Sequence, residues 1–237
     1  MLKTKSIVLT ATFAAFCLTA GAANAHYLWL ERDGNGPAKA YFGEWAEDLH
    51  EKAGGLLDRF RKPRAFLTSP AELLPIDKRN DGFDISVKGV GDLRMVDDSI
   101  APRPDSEKGG VTKTIYYAKA GRSGTAAKLD VELVPVKADA NEFTLLLRGA
   151  PVVKTELTVY APPKWEKKLT TDDRGRISVP TPWAGRYVIE TVYFETKPGS
   201  EGDEKFDRTR HISTVSFLVQ SGIAWPAQSN SRRESGD

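Results

Sequence analysis

The chain has 237 residues, enough for one large or two small domains. With 40% hydrophobic and 28% charged residues, it is neither disordered nor fibrous. A single cysteine excludes a disulfide scaffold and every cysteine-cluster metal site, and a formal net charge of +2 is too small to hold nucleic acid or an anionic membrane.

The first 25 residues, MLKTKSIVLTATFAAFCLTAGAANA, read as a cleaved secretory signal peptide. Lys3 and Lys5 form the basic start, Ile7 to about Leu18 the apolar stretch, and Ala23-Asn24-Ala25 the small-x-small cleavage site. Cys17, the only cysteine, falls inside the apolar stretch as filler. Without this segment's two lysines the chain carries 32 basic and 32 acidic side chains, a formal balance of zero. No later apolar run approaches the ~20 residues of a membrane span. The expected product is a soluble exported protein, and its lack of cysteine suits a bacterial periplasm.

Beyond residue 25 the chain reads as all-β. HYLWLE, FDISVKGV, TKTIYYAKA, KLDVELVPV, EFTLLLRG, KTELTVYAP, GRISVPT, GRYVIETVYFET and STVSFLVQ are short β-rich runs punctuated by Gly, Pro, Asp and Asn. The spacing predicts β-sandwich structure in two units, 26–124 with long loops and 125–224 more regular. With its polar turn, strand and Gly185-Arg186-Tyr187 opening the next strand, the chain resembles immunoglobulin-like or transthyretin-like sandwiches, and the second unit a carboxypeptidase-regulatory-like one. They meet near Arg122-Ser123-Gly124-Thr125. Between Glu44 and Phe60 the apolar spacing predicts one or two short helical turns broken at Gly54-Gly55, or a crossing loop. Thr171-Asp172-Asp173-Arg174-Gly175 is a tight turn, and KPGSEGDEKFDR a solvated hairpin loop. The tail, residues 225–237, is expected to be disordered.

The candidate chemistry lies in three histidines. Cleavage after Ala25 makes His26 the first residue, and its free α-amine and ring nitrogen can then close a chelate ring on one metal ion. His50 and His211 complete the inventory. Imidazole favours nickel, copper and zinc, so His26, His211 and His50 form the candidate metal set, although separations of 24 and 161 residues match no local metal motif. Glu44, Glu47, Asp48 and Glu51 surround His50 in sequence. Glu190 and Glu195 point to opposite faces of one strand and read as solvated strand charge. Trp29, Trp45, Trp165 and Trp183 read as packing residues, Trp29 also as a wall behind His26. There is no G-x-S-x-G, phosphate loop or dinucleotide fingerprint, and no thiol nucleophile beyond residue 25, so no enzyme is expected.

The segments His26-Tyr27-Leu28-Trp29-Leu30-Glu31, Tyr41-Phe42-Gly43-Glu44, Gly185-Arg186-Tyr187-Val188 and Arg210-His211-Ile212-Ser213-Thr214-Val215-Ser216-Phe217 resemble a bacterial domain family of formally unknown function, described as the periplasmic component of nickel/cobalt uptake. That resemblance implies an exported β-sandwich holding a divalent transition metal through an N-terminal histidine, here His26 and secondarily His211. His50 has no counterpart in the pattern, and the chain lacks a histidine-rich tract. The expected ligand is therefore a divalent ion (Ni, Co or Cu), the expected partner an inner-membrane transporter. Two other readings compete: a binding or adhesion module in which no histidine holds metal, and a copper monooxygenase built on a histidine brace.

Overall fold

A computed structural model describes residues 26–225. The expected signal peptide over 1–25, and the expected tail from residue 226 on, lie outside the described residues.

The described chain is all-β, 52% strand, and its helical content is two 3-10 turns, Trp45–Glu47 and Leu56–Arg59. These are the two short turns that the apolar spacing between residues 44 and 60 predicts. The strands are β1 (Tyr27–Arg32), β2 (Ala38–Glu44), β3 (Leu49–His50), β4 (Arg64–Phe66), β5 (Ile76–Arg79), β6 (Gly82–Ile85), β7 (Leu93–Asp97), β8 (Arg103–Pro104), β9 (Val111–Ala120) and β10 (Val131–Pro135). They continue as β11 (Glu142–Leu147), β12 (Ala150–Pro151), β13 (Glu156–Ala161), β14 (Trp165–Thr170), β15 (Arg176–Ser178), β16 (Gly185–Glu195), β17 (Gly199–Glu201), β18 (Glu204–Phe206) and β19 (Arg208–Val219). Among the described residues, no helix is long and apolar enough to cross a membrane.

Three layers stack. The middle sheet runs β14-β13-β16-β19-β9-β7-β4, with β8 on the margin of β9. Its ladders are antiparallel except β9 beside β19, which run parallel. The sheet takes β4, β7, β8 and β9 from before residue 122, and β13, β14, β16 and β19 from after it. A five-stranded sheet, β1-β2-β6-β5 with β3 on β2, covers one face. A four-stranded sheet, β10-β11-β12 with β15 on β11, covers the other.

Side-chain alternation on the middle strands feeds both cores. On β9, Tyr116, Ala118 and Ala120 join the core under β1 and β2, whereas Tyr117 joins the core under β10 and β11. On β16, Val188 goes to the first core, and Tyr187 and Ile189 to the second. A strand buried on both faces has no solvent face for its hydroxyls. In β19 these become clips instead. Thr214 Oγ1 donates to Leu28 O at 2.7 Å and Ser216 Oγ to Leu30 O, while Ser213 Oγ donates to Val131 O at 3.2 Å in the opposite layer. Carbonyls of β1 that its one strand partner, β2, does not use are thereby satisfied, which lets the whole run Tyr27–Leu30 lie fully buried.

The loop at 122–125 is pinned from the middle sheet. Asp92 accepts from the Ser123 N–H (2.9 Å), the Ser123 hydroxyl (2.7 Å) and the Gly124 N–H (2.9 Å). Lys119, fully buried, stands 3.2 Å from Asp92 and 3.1 Å from Glu132, and Arg94 pairs with Glu132 at 2.9 Å. Burial pushes both carboxyls up, but the Lys119 charge and the hydrogen bonds outweigh it, so Asp92 and Glu132 sit below the usual carboxylate range.

Two local readings hold in detail, and a tyrosine hydroxyl closes a third turn. Asp172 accepts from the N–H groups of Arg174 and Arg176, both at 2.8 Å, to close the expected tight turn. The segment after Lys197 forms the β17–β18 hairpin. The Tyr187 hydroxyl both accepts from the Trp183 N–H (3.0 Å) and donates to its carbonyl (3.1 Å), locking the turn into β16.

Candidate functional site

The site begins at Gly43. This residue pairs with Tyr27 on one side and His50 on the other. Its φ is +144°, and a Cβ there would lie 2.0 Å from the Leu49 carbonyl oxygen. Only glycine permits that approach. The chain leaves β2, makes the 3-10 turn Trp45–Glu47, reverses at Asp48 in the left-handed region (φ 54°), and returns as β3. The Glu51 N–H then donates to the Phe42 carbonyl at 2.8 Å. This fold-back carries Glu44 and Glu51 to the start of β1.

There they meet His26. Glu51 Oε1 lies 2.6 Å from His26 Nε2, and Glu44 Oε1 lies 3.7 Å from Nδ1. An ionised carboxylate only accepts, so in the neutral imidazole Nε2 carries the hydrogen and Nδ1 the lone pair. A carboxylate on one ring nitrogen is an arrangement that orients metal-binding histidines. The His26 ring is steadied by Phe42, 5.6 Å between centroids. All three side chains are largely buried, the His26 side chain 24% exposed.

The three histidines are not brought to one point. His50 stacks on Tyr41 (4.2 Å between centroids) and meets Trp29 edge-on (5.3 Å). His26 leans on Phe42, the next residue along β2, hence on the other face of that sheet. Trp29 therefore walls His50, not His26. His211 is fully buried on the Tyr117 side of the middle sheet. Its Nδ1 is 3.1 Å from the Tyr117 hydroxyl and its Nε2 is 3.3 Å from Glu195 Oε2. Arg148 grips the same Glu195 through both carboxylate oxygens, at 2.9 and 3.0 Å. Burial lowers the His211 pKa below that of a free imidazole. Among the described residues, no group of three or more His, Cys, Asp or Glu side chains is placed to hold a metal ion.

Glu190 corrects a sequence expectation. It is buried, not solvated, and accepts from the Tyr160 hydroxyl at 3.2 Å. Burial pushes its pKa up to about 7, against the pull of Tyr160 and Arg210. Glu195 does point to the opposite face, as strand alternation requires.

Beside His26 opens a pocket of about 680 Å³. Its apolar wall includes Phe42, Leu56, Val192 and Phe194. Arg59, Arg103, Lys108 and Arg210 line it as well, against the carboxylates Asp105 and Glu107. Residue spacing offers no sign of this cluster, because the cations come from a 3-10 turn, β8, the following loop and β19. Nor does it assign Glu44 and Glu51 to His26, from which they stand 18 and 25 residues away; in sequence they flank His50.

No protein-family model, curated protein or solved structure matches the chain.

Proposed function

We propose that the exported protein binds a divalent transition metal ion, nickel or cobalt, in the periplasm and passes it to an inner-membrane transporter. In this reading the ion is cargo. It is held by the His26 α-amine and Nδ1 once residues 1–25 are removed, with Glu44 as the third donor. Glu51 keeps the imidazole in the tautomer that leaves the Nδ1 lone pair for the ion.

The observation that carries the reading is the 3.7 Å between His26 Nδ1 and Glu44 Oε1, set beside the 2.6 Å contact from Nε2 to Glu51. Two donors each about 2.0–2.2 Å from one ion lie at most about 4.4 Å apart, so a single ion spans that gap. The amine is the donor of this set that side-chain geometry alone does not include. Further support is the signal-like start of the chain and the family resemblance of the His26–Glu31 and Arg210–Phe217 segments. His211 and His50 take no part in this donor set. A histidine brace would need a second histidine at the ion, and both other histidines sit on different faces of the fold.

Calorimetric titration with Ni²⁺ tests it. Protein beginning at His26 should bind at one saturable site, and protein retaining one residue ahead of His26 should bind at least tenfold more weakly, because the amine becomes an amide. Equal affinity for the two forms would overturn the proposed chelate.

A further inference from the structure

We propose that the pocket beside His26 is a binding site for a small organic anion carrying two or more carboxylates. The claim goes beyond metal binding and needs no metal to be true.

The first ground is unbalanced charge. Arg59, Arg103 and Arg210 reach the pocket from three separate segments, and all three act electrostatically on the Tyr116 hydroxyl within it. Among the described residues, none of the three guanidinium groups makes a hydrogen bond or an ion pair. One of the two pocket carboxylates is already engaged. Asp105 accepts from the N–H groups of Lys108 (2.9 Å) and Glu107 (3.0 Å) and from the Thr112 hydroxyl (3.1 Å), and it stands 3.5 Å from Arg208. Arg59 and Arg103 thus line open volume without an ion-pair partner, and Arg210, which also acts electrostatically on the buried Glu190, makes no ion pair there either.

The second ground is an orphaned donor. Arg210 Nε is buried and has no hydrogen-bond partner. Buried donors in folded proteins are almost always paired, and an unpaired one costs more than the bond would have gained. The Phe194 ring lies within cation–π range of two of the cations, 6.0 Å from the Arg210 guanidinium and 4.7 Å from Lys108 Nζ, and attracts these charges without neutralising them.

The third ground is shape. Guanidinium groups brought to one pocket from three elements suit an anion with several charges on one skeleton, and arginine pairs with carboxylates through two parallel hydrogen bonds. The apolar wall of Phe42, Leu56, Val192 and Phe194 offers that skeleton a surface, and about 680 Å³ is ample for a molecule of the size of citrate. A small inorganic anion would use neither the wall nor more than part of the charge.

The experiment uses metal-free protein beginning at His26, titrated calorimetrically with citrate and, separately, with inorganic phosphate. Citrate should bind at one saturable site, weaken as salt rises, and bind at least tenfold more tightly than phosphate. Arg59 and Arg103 are exposed and outside the core, so Arg59→Glu with Arg103→Glu should leave the thermal midpoint intact while reducing citrate affinity at least tenfold. Arg210→Gln, which keeps hydrogen-bonding capacity but removes the charge, should weaken citrate to a similar degree. No saturable citrate binding, phosphate binding as tightly as citrate, or full affinity in the folded double variant would each overturn the proposal. Because these titrations contain no metal, their failure is distinct from failure of the metal chelate, which is read with Ni²⁺ alone.

Discussion

Glu51 Oε1 sits 2.6 Å from His26 Nε2, and the link spans 25 positions of chain. If this carboxylate orients the imidazole for a metal, Glu51→Ala should weaken Ni²⁺ binding roughly 10–100-fold, the usual cost of removing such a partner. Glu51→Gln, which still accepts from Nε2, should recover most of it. Titration of both variants checks this, with far-UV circular dichroism confirming unchanged strand content. Equal loss in both variants would point to charge instead of orientation.

Glu190 makes stability depend on pH. Its folded pKa is raised from 4.5 to about 7, so the fold binds its proton more tightly than the unfolded chain does. The stability it contributes is complete below pH 4.5 and is lost as pH rises to about 7. That interval corresponds to roughly 3 kcal/mol. In metal-free protein, Glu190→Gln should raise the thermal midpoint at pH 8 and flatten this part of the pH profile. A variant that melts lower than the parent at pH 8 would show that the ionised carboxylate stabilises the fold.

His211 acts in the opposite sense. Burial lowers its folded pKa below the ordinary value of 6.5. Its neutral form therefore stabilises the fold above pH 6.5, and that contribution is lost as pH falls through the folded pKa. Replacing it by Gln, which can still meet Tyr117 and Glu195, should remove the acid-side decline below pH 6.5 while lowering the midpoint at pH 8 only modestly. Denaturant titrations of parent and variant between pH 4 and pH 8 give both slopes. An unchanged acid slope in His211→Gln would assign the decline to other groups.

Lys119 ties Asp92 and Glu132 together in the fully buried group behind the 122–125 loop. Lys119→Met leaves two buried carboxylates with Arg94 as the one remaining cation. Removing one partner from such a group costs about 3–5 kcal/mol. The denaturant midpoint should fall accordingly, whereas Lys78→Met in the exposed Lys78–Asp58 pair should barely move it. Similar small shifts for both would mean that water reaches Lys119.

Secondary structure was legible wherever it rests on local chemistry. The β-branched and aromatic runs at 111–120, 131–135 and 208–219 are strands, and Asp172 and Gly175 close the turn their residue types require. Strands with weaker signals escaped. β2, AKAYFGE, carries two alanines and a glycine, and β14, WEKKLT, at the margin of the middle sheet, is half charged. Their strand state comes from the neighbours they pair with, not from their own propensity.

The amino-acid sequence by itself determined an all-β chain and its principal turns, because propensity and periodicity act over a few residues. Tertiary structure alone decided which acids attend His26, that His50 and His211 lie on other faces, that Glu190 is buried, and that three arginines converge on one pocket. Those outcomes depend on strand order and register. A one-residue difference along a strand sends a side chain to the opposite face, and partners 18, 25 or 94 residues apart meet only once the sheets have stacked.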